Sequence, residues 1–184
     1  EGIDPATQGA TPERTWVLKT DEDGFTALDK SLLVSGDEFY YASNGDPTIP
    51  VGTVTMQETK APEGYLLNNE IFVVKVKPEG NDEILNTYQE PIVPEQVIKG
   101  KIRIAKKDKD TGKVIQVAGT VFDIYFNGQK VSSMTTDETG YATSEDLAYG
   151  EYVIKEAKAP NGYVVDVDQE AVVDITAEKT YDTE

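Results

Sequence analysis

The chain has 184 residues, with 17 basic and 34 acidic side chains and a net charge of −17, so it repels nucleic acid phosphates and anionic lipid, and neither is an expected partner. Cysteine and histidine are absent, which excludes disulfides, Ser-His-Asp and Cys-His catalysis and histidine metal sites. Hydrophobic residues make up 38% of the chain, enough for small β cores, and no apolar run approaches the roughly 20 residues of a membrane span.

The predicted elements are short strands and turns. Glu1 to Arg14 reads as a loop. Thr15 to Lys19 is a strand running into the Asp23-Gly24 turn. Leu32 to Val34, Phe39 to Tyr41, Val51 to Gln57, Ile71 to Val76 and Ile84 to Gln89 follow as strands. Pro91-Ile92-Val93-Pro94 is extended and unfit for a central strand, because each proline lacks a backbone donor. The linker is placed at residues 92–98. Beyond it, Ile102 and Ile104 alternate with Lys101 and Arg103. Val121 to Phe126 and Val131 to Thr135 flank a hairpin turn at Asn127-Gly128. Gly150 to Glu156 and Val172 to Thr176 are further strands. Many short strands with regular turns predict an all-β sandwich or related barrel.

Two phrases occur twice, in the same order. Glu58-Thr59-Lys60-Ala61-Pro62-Glu63-Gly64-Tyr65 returns as Glu156-Ala157-Lys158-Ala159-Pro160-Asn161-Gly162-Tyr163, and Thr20-Asp21-Glu22-Asp23-Gly24 returns as Thr136-Asp137-Glu138-Thr139-Gly140. This predicts two copies of one unit, a first domain over residues 1–91 and a second over 99–184. Neither a signal peptide nor a C-terminal sorting signal is visible, so the chain is expected to be a piece of something longer. From Thr20 to Glu58 is 38 residues (58 − 20), against 20 (156 − 136) in the second copy. The difference predicts an insertion near residues 27–48.

Period-two alternation then singles out charges aimed at the core. Ile102, Ile104 and Lys106 share one face, Tyr152, Ile154 and Glu156 another, and Val54, Met56 and Glu58 a third. Either the strands end here and the charges escape to solvent, or they are buried, which requires partners. Asp21-Glu22-Asp23-Gly24 and Asp108-Lys109-Asp110-Thr111-Gly112 look loosely like calcium loops but lack the spaced ligands of an EF-hand, so turn chemistry explains them. A carboxylate-pair glycosidase needs a cleft, which small repeated sandwiches rarely offer. No metal and no cofactor is expected.

Glu-x-x-Ala-Pro-x-Gly-Tyr at a strand end resembles the glutamate box of Cna B-type domains, found in Gram-positive adhesins and SpaA-type pilins. Lys101 to Asp108, Thr111-Gly112, Ala118 to Phe122, Thr136 to Gly140 and Tyr149 to Tyr152 are similar to the family's other signatures in the family's order. The resemblance covers nearly all of residues 99–184 and, less fully, about 15–91. It implies two tandem inverse immunoglobulin-like, prealbumin-like sandwiches. It also implies a spontaneous isopeptide bond joining a first-strand lysine to a last-strand asparagine or aspartate, assisted by the box glutamate. A lysine attacks only as the neutral amine, which burial favours, and a buried protonated glutamate can polarise the acceptor carbonyl. By position, Lys106 is the nucleophile and Glu156 the assistant.

The acceptor departs from the family pattern. In the first unit the family's asparagine is replaced by Gln89. The lysine matching Lys106, which lies 30 residues before Thr136 (136 − 106), would fall before residue 1. The first domain is therefore expected to lack its opening strand, with Glu58 unreactive. In the second, the matching position is 31 residues past Glu156 (89 − 58), beyond Glu184, and Asp182 is the acidic candidate within the chain, if the last strand is not clipped. The pilin polymerisation motif Tyr-Pro-Lys-Asn is absent. The resemblance implies a non-enzymatic structural module, a stalk or pilin-like segment, outside the cell on the bacterial surface or wall, with adjacent domains of the same protein as partners. The alternative is an adhesin module that contacts host matrix protein or glycan through residues 27–48.

Overall fold

The computed structural model describes residues 4–76 and 92–184. The expected strand at Ile84 to Gln89, with the Gln89 position, lies outside them. No helix among the described residues is long and apolar enough to cross a membrane. The chain divides into two compact units, one formed by residues up to Thr59 and from Asn69 to Val93, the other by Lys60–Asn68 and Pro94–Glu184.

The first unit opens on a 3-10 helix, Pro5–Gln8, capped by the Asp4 carboxylate and started by Pro5 at its first position. Residues 4–15, read as loop, hold this helix and no strand. Then come β1 (Trp16–Leu18), β2 (Leu33–Gly36), β3 (Tyr40–Tyr41), β4 (Pro47–Thr48) and β5 (Gly52–Gln57). β1 pairs with β2 and β3 with β4, all antiparallel. β5 pairs with a later strand, Ile71–Val76, with Met56 opposite Phe72. Phe39 is this unit's buried hydrophobic residue among those described, set edge-on to Trp16 at 6.0 Å. Arg14 stacks on Tyr40 at 3.7 Å and the Asp37 carboxylate accepts from Thr15 N. Residues 27–48, expected as an insertion, thus supply β2, β3, β4 and the core residue Phe39. The expected inward face of β5 does not form as read, since Val54 is only half-buried and Met56 is 37% exposed.

The second unit takes in β6 (Tyr65–Leu66). The strand Ile71–Val76 is β7. β8 (Gln96–Val97) falls inside the segment expected as linker and pairs antiparallel with β6. Pro94 lies just ahead of β8, where its missing donor breaks no ladder. The main strands are β9 (Lys99–Ala105), β10 (Val121–Phe126), β11 (Gln129–Thr135), β12 (Tyr141–Thr143), β13 (Leu147–Ala148), β14 (Gly150–Lys158), β15 (Glu170–Ile175) and β16 (Thr180–Thr183). One sheet has the order β11-β10-β14-β15; in the other, β9 pairs antiparallel with β12 and β13 and parallel with β16. The β10–β11 hairpin turns on Asn127 (φ 50°) and Gly128 (φ 76°), both left-handed, as a two-residue turn of the right twist requires.

Alternation now gives a two-layer core. Ile102 and Ile104 come from β9, Phe122 and Ile124 from β10, Tyr152 and Ile154 from β14, and Val173 and Ile175 from β15. The all-β, two-sandwich expectation thus holds for the chain, with the well-buried core in the second unit. Ile154→Ala should lower stability by about 3 kcal/mol, because a buried aliphatic side chain is lost and a cavity remains. Met56→Ala should cost less than about 1 kcal/mol, since that side chain is partly in water already. Urea unfolding of the two variants checks the contrast.

Candidate functional site

The two strands that head the core each end on a charge. Ile102 and Ile104 face inward, and Lys106, one residue past β9, continues their face. Its backbone is fixed from outside, where the Ile115 N–H donates to the Lys106 carbonyl at 2.8 Å and Lys107 bridges Val114. On the facing sheet, Tyr152, Ile154 and Glu156 follow the same rule along β14. The ladder between β10 and β14 shifts register immediately after Glu156, which sits opposite Phe122, while Lys158 sits opposite Val121. A bulge of this kind re-aims a side chain at the end of a ladder.

Lys106 Nζ donates to Glu156 Oε2 at 2.6 Å, with side-chain exposures of only 16% and 5%. The same oxygen accepts from Asp166 N at 3.1 Å. The other carboxyl oxygen, Oε1, is buried with no hydrogen-bond partner among the described residues. The pair therefore joins the two sheets at the edge of the core and leaves one buried carboxyl oxygen unsatisfied. Sequence pattern identifies Lys106 and Glu156; it gives no sign of the Asp166 amide or of Ile115, which arrive through loops.

Asp182 is not brought to this pair. It lies opposite Arg103 in the β9–β16 ladder and accepts from Arg103 Nε at 2.5 Å, 64% exposed. That contact favours the charged guanidinium. Tyr181 and Thr183 take the inner side of β16, so Asp182 must take the outer. Glu184 is likewise engaged outside, with Lys107. As for Glu58, it follows the partly exposed β5, and residues 4–15 hold no strand.

Taking two charges out of water is offset only while both are present; deleting one leaves a buried charge unpaired. Glu156→Ala should lower the stability of the second unit by about 3 kcal/mol, while Lys106→Met with Glu156→Leu should recover most of that loss. Urea unfolding of single and double variants reads the difference.

The family model for the SpaA prealbumin-like fold domain matches residues 10–90 and again 100–184. Over 81 residues the chain is 32% identical to a collagen adhesin of Staphylococcus aureus, covering 41% of this chain and 7% of that protein. Over 62 residues it is 37% identical to the trypsin-resistant surface T6 protein of Streptococcus pyogenes serotype M6, covering 33% of this chain and 12% of that one. The chain thus spans a small part of both relatives. Among solved structures, the Bacillus anthracis TIE protein is similar over 93% of this chain and 30% of its own, at 25% identity and a TM-score of 0.62. The chain belongs to the SpaA prealbumin-like domain family and carries two such domains, of the kind found in pilins and surface adhesins.

Proposed function

We propose that the chain is a structural segment, stalk-like or pilin-like, of a bacterial cell-surface protein, and that its second domain is built to close an intramolecular isopeptide bond. The buried Lys106–Glu156 contact carries this reading. Supporting it are the match to surface-protein domains and the lack of any other covalent clamp in a cysteine-free chain. A clamp between first and last strands restricts the unfolded chain as a disulfide does, by a few kcal/mol on that analogy. The protein sits outside the cell, on its surface or wall, with neighbouring domains of its own polypeptide as partners.

In the proposed reaction, Lys106 Nζ gives up a proton and attacks the side-chain carbonyl carbon of an asparagine or aspartate. The C–N bond forms and ammonia or water leaves, taking the proton relayed by Glu156. Contact geometry replaces a bimolecular encounter. It happens once and does not turn over. The acceptor belongs on the inner face of β16, which Asp182 does not share. Thr183 pairs with Ile104, so a residue two positions on in a continued β16, number 185, is level with Lys106, and 187 shares its face. A chain continued past Glu184 with asparagine at 185 or 187 should lose the mass of one ammonia, and Lys106→Ala or Glu156→Ala should restore the full mass. Full mass for both continued chains under denaturing conditions rules the reading out.

A second reading is adhesion through residues 27–48, with a matrix protein or glycan as ligand. It is favoured by Val34, 62% exposed, and Tyr41, 48% exposed, and by the likeness to a collagen adhesin. Deleting the segment would remove Phe39 and β2, so the cleaner variant is Val34→Asp with Tyr41→Ser. Binding of the full chain to immobilised collagen that is lost in this variant supports adhesion; absence of binding leaves the stalk role alone.

A further inference from the structure

The repeated phrase has a second half, Lys-Ala-Pro-x-Gly-Tyr, whose two copies share one backbone shape but differ in their surroundings. Tyr65 N donates to Pro62 O at 3.2 Å, and Tyr163 N to Pro160 O at 3.1 Å. Gly64 and Gly162 have φ of 86° and 89°, in the left-handed region that glycine alone adopts without strain.

The first copy is covered within the second compact unit, to which Lys60–Asn68 belongs. β6 pairs with β8, Ile98 N donates to Gly64 O at 2.9 Å, and Asn68 Nδ2 donates to Pro94 O. Tyr149 donates its hydroxyl to Glu63 Oε1 at 2.5 Å, and its ring lies so close under Gly64 that a Cβ there would stand 3.0 Å from Cδ1. A glycine is therefore required twice over, by its φ and by the ring. Ile98 O in turn accepts from Tyr149 N at 2.9 Å, so strand and tyrosine form one receptor for the phrase.

The second copy has the same turn, with Pro160 buried but its Asn-Gly-Tyr end open. A Cβ on Gly162 would meet nothing within 4 Å. Tyr163 is 44% exposed, Val164 87% and Val167 78%. Val164 stands where the first copy has the half-buried Leu66 of the β6–β8 pair, while Tyr163 is little more exposed than Tyr65 at 39%; burying Val164 favours association.

We infer that Asn161-Gly162-Tyr163-Val164 is a docking segment for the opening strands of a following module of this same type. Tyr163 and Val164 add to a strand like Gln96–Val97, and the ring of a tyrosine placed like Tyr149 lies under Gly162. The hydrogen bond made by Glu63 passes to Asn161, whose amide oxygen accepts from the phenol. The second half of the phrase is in this way a coupling between consecutive modules, distinct from the glutamate that opens it. The inference rests on the modular-segment reading and is independent of the cross-link.

The decisive experiment uses the repeat itself. Four substitutions, Glu63→Asn, Leu66→Val, Leu67→Val and Asn68→Asp, turn Lys60–Asn68 into the sequence of residues 158–166. If the second copy is a docking segment, amide exchange of Ile98 and of residues 63–68 in this variant stays within about threefold of the parent. A loss of protection greater than about tenfold overturns the inference. A second arm supplies the missing module. The repeat period is 98 (156 − 58), so a copy of residues 87–184 (185 − 98) is appended directly after Glu184. Exchange across residues 161–166 should slow by about tenfold or more, and Tyr149→Ala in the appended copy should cancel the effect. Unchanged exchange there, with the appended Ile102–Ile104 stretch protected, refutes docking; the graft decides alone should the appended copy not fold. Lys106→Ala, which removes the proposed cross-link, leaves both exchange results in place, so the two proposals fail separately.

Discussion

The Lys106–Glu156 contact is the constraint around which the second domain is arranged. Its two members come from different sheets, one from the end of β9 and one from β14. Both charges tolerate burial only together, so the sheets must close in one register for the pair to form. A slip of one residue in either strand would turn the isoleucines outward and expose the charge. The rows Ile102-Ile104-Lys106 and Tyr152-Ile154-Glu156 thus specify the same alignment twice, once through apolar burial and once through charge.

Alternation made this part of the site legible in the sequence, because the second domain has two full layers. The same rule misread Met56, since β5 pairs only with β7 among the described strands and its faces have no comparable core to choose between. In the last strand the same alternation is informative: with Tyr181 inside, Asp182 must be outside. Charge had nominated Asp182, but position on the pleat decides. Two other features have local signals in the sequence. Asp4-Pro5 is a helix start, and Gln96-Val97 is a strand masked by the prolines ahead of it. The Tyr149–Glu63 contact had no local signal, because its members stand 86 residues apart.

The doubled phrase combines two separable devices. Its opening glutamate, as Glu156, meets Lys106 at the edge of a domain core. Its glycine-tyrosine end is a shaped edge, held in the first copy by β8 and Tyr149. A sequence can retain one device while losing the other, and the first copy is an instance: Glu58 stands beside a weakly buried strand, whereas Gly64 is tightly packed.

The parallel pairing of β9 with β16 has a mechanical consequence. Tension along the chain enters this domain at the start of β9 and leaves at the end of β16, so it pulls the two neighbouring strands in opposite directions along their length. The load falls across the ladder from Lys101–Thr180 to Ile104–Thr183 in shear, all bonds at once, rather than peeling them one at a time. Rupture then requires several hydrogen bonds to break together. The strand order therefore adds a resistance to stretching between the chain ends that does not depend on the size of the core.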